Sequence, residues 1–226
     1  MNGQELVDLT IAKLVPITAV DQAANVNNAF VLAAVNEAYH VIERSALWKW
    51  SEQETTFASA VGTSEYAEAT VASDLITIQH IWDAEQQCDL TFLDERQAYH
   101  SHGKNVTGIP EAWSRWSGNI ILHPTPSVVR TFTVRYYGSW TDLGVGNSPV
   151  FPTSYHDILT DYAANVLALR LPPTGGRFLP GSRAEPHKMA FIEKLSQMVN
   201  DPRSGVTMDE IRNHDWDRYV SRSQDW

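Results

Sequence analysis

A few short stretches hold residue types that do chemistry when a fold brings them together. His100-x-His102 offers two imidazoles, Cys88 is the only thiol, and Tyr155-His156-Asp157 sets a phenol, a base and a carboxylate in a row. Two imidazoles make half of a metal site, and no third ligand stands near them, so a polar surface turn is the plainer reading. Cys88 has no marked base or orienting group, which favours a buried structural thiol. Neighbouring residues on a helix point in different directions, so Tyr155-His156-Asp157 is not a relay by itself; it reads as a helix start with Asp157 in the first turn. Glycan cleavage needs two carboxylates at a set separation, and residues from Glu52 to Glu111 supply many, but an acidic surface always supplies pairs. No nucleophile elbow, phosphate-binding loop or dinucleotide fingerprint is present.

Two further groups suit binding better than catalysis. The chain has eight tryptophans: Trp48, Trp50, Trp82, Trp113, Trp116, Trp140, Trp216 and Trp226. They would serve a sugar platform, but Trp is equally at home in cores and subunit interfaces, and an interface is the preferred reading. The Gly/Pro-rich stretch 170–188 carries Arg170, Arg177, Arg183 and Lys188 against Glu185 alone. Such a loop would touch phosphate, form a solvated connection, or pair with an acidic neighbouring subunit.

Composition narrows the classes. With 226 residues and 43% hydrophobic residues, the chain has material for a sizeable core. Its formal net charge is −10, concentrated before residue 151, where 17 acidic side chains face 8 basic ones. Tight sequence-independent DNA binding needs cations to release counterions, so a cellular nucleic-acid-binding module is disfavoured. One cysteine excludes an internal disulfide and a multi-cysteine zinc site. No early apolar run resembles a signal peptide and no stretch nears the roughly 18 apolar residues of a membrane helix, so folding in a reducing cytoplasm is expected.

These residues must be positioned by elements of two kinds. Apolar spacing predicts helices over 3–14 (Val7, Ile11, Leu14) and from about Asp21 to Leu47 (Phe30, Ala34, Ala38, Val41, Ile42, Ser45). The period then changes. Leu75–Trp82 and Cys88–Leu93 alternate like strands, a short polar helix fits 94–101, and Gly118–Trp140 reads as a proline-stapled hairpin of Ile120–Leu122 with Thr131–Tyr137. Helical spacing resumes over 153–171 (Tyr155, Leu159, Tyr162, Val166, Leu169) and, after a loop at 172–183, over 184–200 (Phe191, Leu195, Met198, Val199). Thr207-x-x-Glu210 opens a last segment. The expected fold class is α+β: a helical bundle body from residues 1–50 with 150–205, an inserted antiparallel β-module at 51–149, and a C-terminal segment at 206–226.

Five fragments, in order, resemble the head–tail adaptor proteins of tailed bacteriophages, the group of tail tubular protein A and the tail accessory factors. They are VNEAYHVIERSALWKW (35–50), TTFASAVGTSEY (55–66), GIPEAWSRWSGNIILHPTPS (108–127), TFTVRYYGSWTDL (131–143) and PVFPTSYHDILTDYAANVLA (149–168). Tyr66 departs from the pattern, being followed by Ala-Glu-Ala where Leu-Pro is usual. The resemblance implies a structural virion protein made in the host cytoplasm, not an enzyme, and without cofactor or membrane. It implies a homo-oligomeric ring, a dodecamer, between the portal protein and tail, nozzle or fibre proteins, with packaged DNA passing through unbound. It also implies portal docking by the C-terminal segment, whose Met208, Ile211, Arg212, Trp216, Tyr219, Val220 and Trp226 are the candidate contacts. Arg170, Arg177, Arg183 and Lys188 are candidate channel or subunit contacts. The alternative is a phage-associated peptidoglycan hydrolase or glycan-binding module, which a zymogram would detect.

Overall fold

The computed structural model describes residues 1–14, 27–103, 106–170 and 180–206, with residues 180–184 by their backbone alone. Its α+β chain divides into two compact units, one of residues 1–50 with 140–226 and one of residues 51–139.

The first unit is helical. Helix α1 (Gly3–Leu14) starts with a reciprocal cap: Asn2 Oδ1 accepts from the Glu5 amide, and Glu5 Oε2 accepts from the Asn2 amide. Its first turn is fixed to the segment 144–147, with Gly3 N donating to Asn147 O and Gln4 N to Val145 O. A β-carbon on Gly3 would lie 2.2 Å from Gly144 O, so only glycine permits this approach. Helix α2 (Asn28–Ser45) is capped by Asn27, which is extended and accepts from Ala29 N; residues 21–26 of the helix expected from Asp21 lie outside the described residues. Its buried face is Val31, Ala34, Val35, Ala38, Tyr39, Ile42 and Ser45, which includes Ala34, Ala38, Ile42 and Ser45 of the expected stripe; Val41 is partly buried and Phe30 is exposed.

After the second unit the chain returns at Trp140, which packs on Tyr39 with centroids 4.7 Å apart. Residues 140–149 therefore do not extend the β-module: Trp140 and Leu143 are buried in the helical core. Helix α5 (Asp157–Arg170; the short helices α3 and α4 belong to the second unit) packs against α1, α2 and the final helix α6 (Pro180–Val199). Three neighbours explain why no single stripe describes α5. It buries Ile158, Leu159, Ala163, Ala164, Leu167 and Ala168, while Tyr155, Tyr162 and Leu169 are only partly covered. Helix α6 uses the expected Phe191, Leu195, Met198 and Val199, but starts at Pro180, inside the stretch read as loop. Ser204 O then accepts from Lys49 N, tying the end of the described chain to the close of the first helical segment.

One polar cluster joins α1, α5 and α6. Asp161 on α5 is 4% exposed and receives Lys13 from α1 and Lys194 from α6; Lys13 also donates to Thr160, and Lys194 to Asp157. Burial alone pushes the Asp161 carboxyl up, but hydrogen bonds from His187, Lys13 and Lys194 outweigh it and hold the group well below the usual carboxylate range.

The second unit is two packed sheets. One has the order β1 (Glu52–Ala58), β10 (Thr131–Gly138), β3 (Leu75–Asp83), β4 (Cys88–Asp89), all antiparallel. The other has the order β2 (Glu65–Ala67), β8 (Asn119–His123), β7 (Ala112–Trp116), β5 (Thr91–Phe92), with β5 parallel to β7. Two short strands, β6 (Thr107–Gly108) and β9 (Thr125–Pro126), pair in parallel. Helix α3 (Glu68–Val71) follows β2, which is where the sequence departs from the usual Leu-Pro, and α4 (Glu95–His102) is the expected polar helix. The core comes from the inner faces of both sheets, with Ile78, Ile81, Trp113, Leu122, Phe132 and Val134 prominent. Asp83 is fully buried there, paired with Arg130 at 2.9 Å and accepting from Glu85 N and Gln86 N.

Two strand assignments need correction. Ile120–Leu122 and Thr131–Tyr137 do not form a hairpin, because β8 and β10 lie in different sheets. The true hairpin is β7–β8, closed by Ser117 and Gly118, both with positive φ, as a two-residue turn of that hand requires. The proline segment instead crosses between sheets: Thr125 N donates to Val106 O and Ser127 N to Gly108 O, so the donor that Pro126 lacks is not needed. Cys88–Leu93 is also not one strand. It breaks at buried Leu90 into β4 and β5, which serve different sheets.

Replacing Asp161 by Ala is expected to destabilise the protein by about 3 kcal/mol, since partly buried Lys13 loses its carboxylate and Lys194 keeps only the half-exposed Asp157. The depressed carboxyl also fixes a sign. Its contribution is complete above the unfolded value of about 3.9 and is lost as pH falls through the folded value. Denaturant titrations of wild type and D161A at neutral pH and at decreasing acid pH test both statements; a variant as stable as wild type at pH 7 would refute them.

Candidate interaction surfaces

Tyr155, His156 and Asp157 are each engaged in contacts within the helical unit. Tyr155 donates to Asp201 at 2.7 Å. His156 is buried, with Nε2 at 2.9 Å from Phe151 O and Nδ1 at 3.1 Å from the Met1 amino group. Burial first, and then the nearby amino charge, lower its pKa. Asp157 meets Lys194. The three adjacent side chains therefore go to three different partners.

Cys88 is exposed, not buried as expected, because β4 is a two-residue edge strand that leaves its side chain uncovered. His100 and His102 occupy the last turn of α4, and no group of three potential ligands exists among the described residues. One contact has no signal in the sequence: Ser114 Oγ and His123 Nε2 lie 2.8 Å apart on neighbouring strands. A serine–histidine contact suggests a nucleophile, but Ser114 is fully buried and His123 nearly so. Burial lowers the His123 pKa, and the pair satisfies polar groups inside a sheet.

Of the basic candidates, Arg170 pairs with Glu37 at 3.3 Å and Lys188 with Glu185 at 3.8 Å, both on partly exposed surface. Arg177 and the Arg183 side chain lie outside the described residues, as do Met208, Ile211, Arg212, Trp216, Tyr219, Val220 and Trp226. The tryptophans divide. Trp48, Trp113 and Trp140 are core residues rather than interface anchors, Trp50 and Trp82 are half-buried, and Trp116 is 62% exposed.

Trp116 and exposed Phe92 flank a cleft of about 360 Å³ together with Asp94, Arg96 and Arg115. Arg115 is held from behind, bidentate to Glu68 and donating to Ile76 O. In the helical unit, His40 bridges Glu43 (2.7 Å from Nδ1) and Asp142 (2.6 Å from Nε2), linking α2 to the segment that follows Trp140.

Residues 1–212 match the family described as SU10 adaptor protein, and the chain belongs to that family of structural phage adaptors. Membership makes it a virion component that works alongside other head and tail proteins. No curated protein matches the chain. No helix among the described residues is long and apolar enough to cross a membrane.

The His40 bridge has a pH signature. Burial disfavours the charged ring, but hydrogen bonds to Asp142 and Glu43 prevail and raise its pKa above the ordinary 6.5. The bridge is complete below about 6.5 and is lost as pH rises through the folded value. Replacing Asp142 by Asn should bring the His40 titration down, read by NMR of the imidazole; an unmoved titration would show that Asp142 does not hold the ring.

Proposed function

We propose that the chain is one subunit of a closed ring between the portal and the tail, which extends the DNA channel and docks tail components. The observation that carries this reading is the adaptor-family match over residues 1–212. Charge supports it, since a −10 chain offers DNA a channel wall that does not adsorb it. The ring is a dodecamer matched to the portal, built by head-to-tail contacts that close by rotation. It supplies geometry and contributes no chemistry.

Portal docking is assigned to the segment 206–226, where Met208, Ile211, Arg212, Trp216, Tyr219 and Val220 would form one apolar-edged helical stripe and Trp226 would be covered by the partner. Arg170, Arg177, Arg183 and Lys188 are assigned to subunit or channel contacts. A second reading, a glycan-binding module, draws on the Phe92–Trp116 cleft, whose exposed aromatics and planar charged groups suit a sugar face. Binding of peptidoglycan fragments to the purified chain, abolished by W116A, would favour it.

Like-charged copies repel, so the free chain should be monomeric or weakly associated and should close into a ring on purified portal. Light scattering of the chain alone and mixed with portal tests this; no rise in mass on mixing would refute it. Removal of residues 206–226 should leave a folded, soluble protein that no longer binds portal. A truncation that binds normally would place docking elsewhere, and one that unfolds would make the segment part of the core.

A further inference from the structure

We propose that the uncharged tip of the β-unit, formed by Val61, Val106, Ile109, Val128 and Val129, docks onto an uncharged apolar face of a multi-copy protein of the tail. This rests on the ring reading and names the part of the chain that meets the tail.

The five side chains are between 38% and 64% exposed. They stand on three segments that the backbone ties together. Gly62 N donates to Pro126 O, Thr125 N to Val106 O, Ser127 N to Gly108 O, and Ser59 N to Arg130 O. Tyr66 braces the first loop, accepting from Ala60 N and donating to Thr63 O. Gly62, at φ +76, turns that loop with nothing near its missing side chain, so the turn projects into solvent. A β-carbon on Gly108 would come within 2.9 Å of Pro124, so the second and third segments are closely apposed. The aliphatic groups are thus presented on a rigid support and lose little entropy when covered.

Charge and area identify the occupant. Segments 59–64, 106–110 and 124–129 contain no acidic or basic residue, whereas residues 51–139 as a whole hold 11 acidic and 5 basic ones. The tip is where this acidic unit repels a partner least, and it offers a charged partner nothing to pair with. An anionic lipid surface would be repelled by the rest of the unit. A stable pairwise interface takes about 800 Å² from each partner, spread over roughly 20–30 residues, and five aliphatic side chains supply a fraction of that. Two copies meeting tip to tip would have the same small area and would close as a pair, not a ring. A partner that repeats the contact many times overcomes the shortfall, because each further contact is intramolecular. A ring of tips against a multi-copy tail protein meets that condition.

The test uses intact particles. A photocrosslinking p-benzoyl-phenylalanine is placed at Val129 in the only copy of the chain available to the infecting phage, purified virions are irradiated, and crosslinked peptides are identified by mass spectrometry. Crosslinks to a different, multi-copy tail protein are expected. Crosslinks confined to the portal, to a second copy of this chain, to lipid, or to nothing overturn the proposal. In parallel, V61D combined with V129D should leave the circular dichroism and melting of the purified chain unchanged while cutting tailed particles at least tenfold, with the variant still present on the heads. Normal tail numbers overturn it. If the chain is absent from virions altogether, the ring reading fails as well; if it is present and the tip is silent, only the tip proposal fails.

Discussion

The helical unit depends on one buried carboxylate. Asp161 sits on α5 and gathers Lys13 from near the start of the chain and Lys194 from α6, across sequence separations of 148 and 33 residues. Apolar packing alone would let these helices slide, because the faces of α5 that meet its neighbours are lined with Ala and Leu, which fit in several registers. A buried charge permits one arrangement only. Desolvation of the carboxylate is offset when His187 and both ammonium groups are in place, and an imperfect register leaves a charge stranded. The cluster joins parts of the chain that flank the entire β-unit in sequence, so the helical unit completes itself around an insertion. The chain leaves that unit at Trp50 and returns at Trp140, and both rings pack against Phe151, with centroids 6.4 and 5.7 Å away.

Much of this was legible in the sequence. The change of period from helical to alternating and back located the two kinds of structure, since burial on one face leaves that trace directly. The trace fails where burial is not one-sided. Helix α5 has three neighbours, so its apolar residues are spread around the helix, and of the expected stripe Leu159 is fully buried while Tyr155, Tyr162, Val166 and Leu169 are only partly covered. In α2 the expected Ala34, Ala38, Ile42 and Ser45 are buried, but Phe30 looks like core by type and faces water, while Tyr39, absent from the expected stripe, is buried with its hydroxyl accepting from Val150 N. Pairing between strands was less legible. Two apolar runs separated by prolines have the appearance of a hairpin, yet the signal that decided the topology was the Ser117-Gly118 turn, two ordinary residues whose positive φ appears only in the fold.

The candidate contacts were readable as composition, not as geometry. Sequence alone cannot separate core tryptophans from surface ones, and Trp113 and Trp116 show it: three residues apart on β7, one is buried and the other is largely exposed. The uncharged tip is invisible as a motif, because its segments come together only when β6 pairs with β9 and the 60–63 loop bonds to Pro126. A tethered serine and histidine were likewise unforeseen, and their burial makes them part of the sheet rather than a site. Adaptor-family membership fits this distribution: polar chemistry is spent on holding helices and strands in register, and the surface is left to contact.

Electron cryomicroscopy of the neck of an intact virion tests the central claim most directly. The account predicts a closed ring of twelve copies against the portal, with both the helical unit and the two-sheet unit of this chain identifiable in each repeat of the density. Density at the neck that cannot hold this fold, or the chain located elsewhere in the particle, would contradict it.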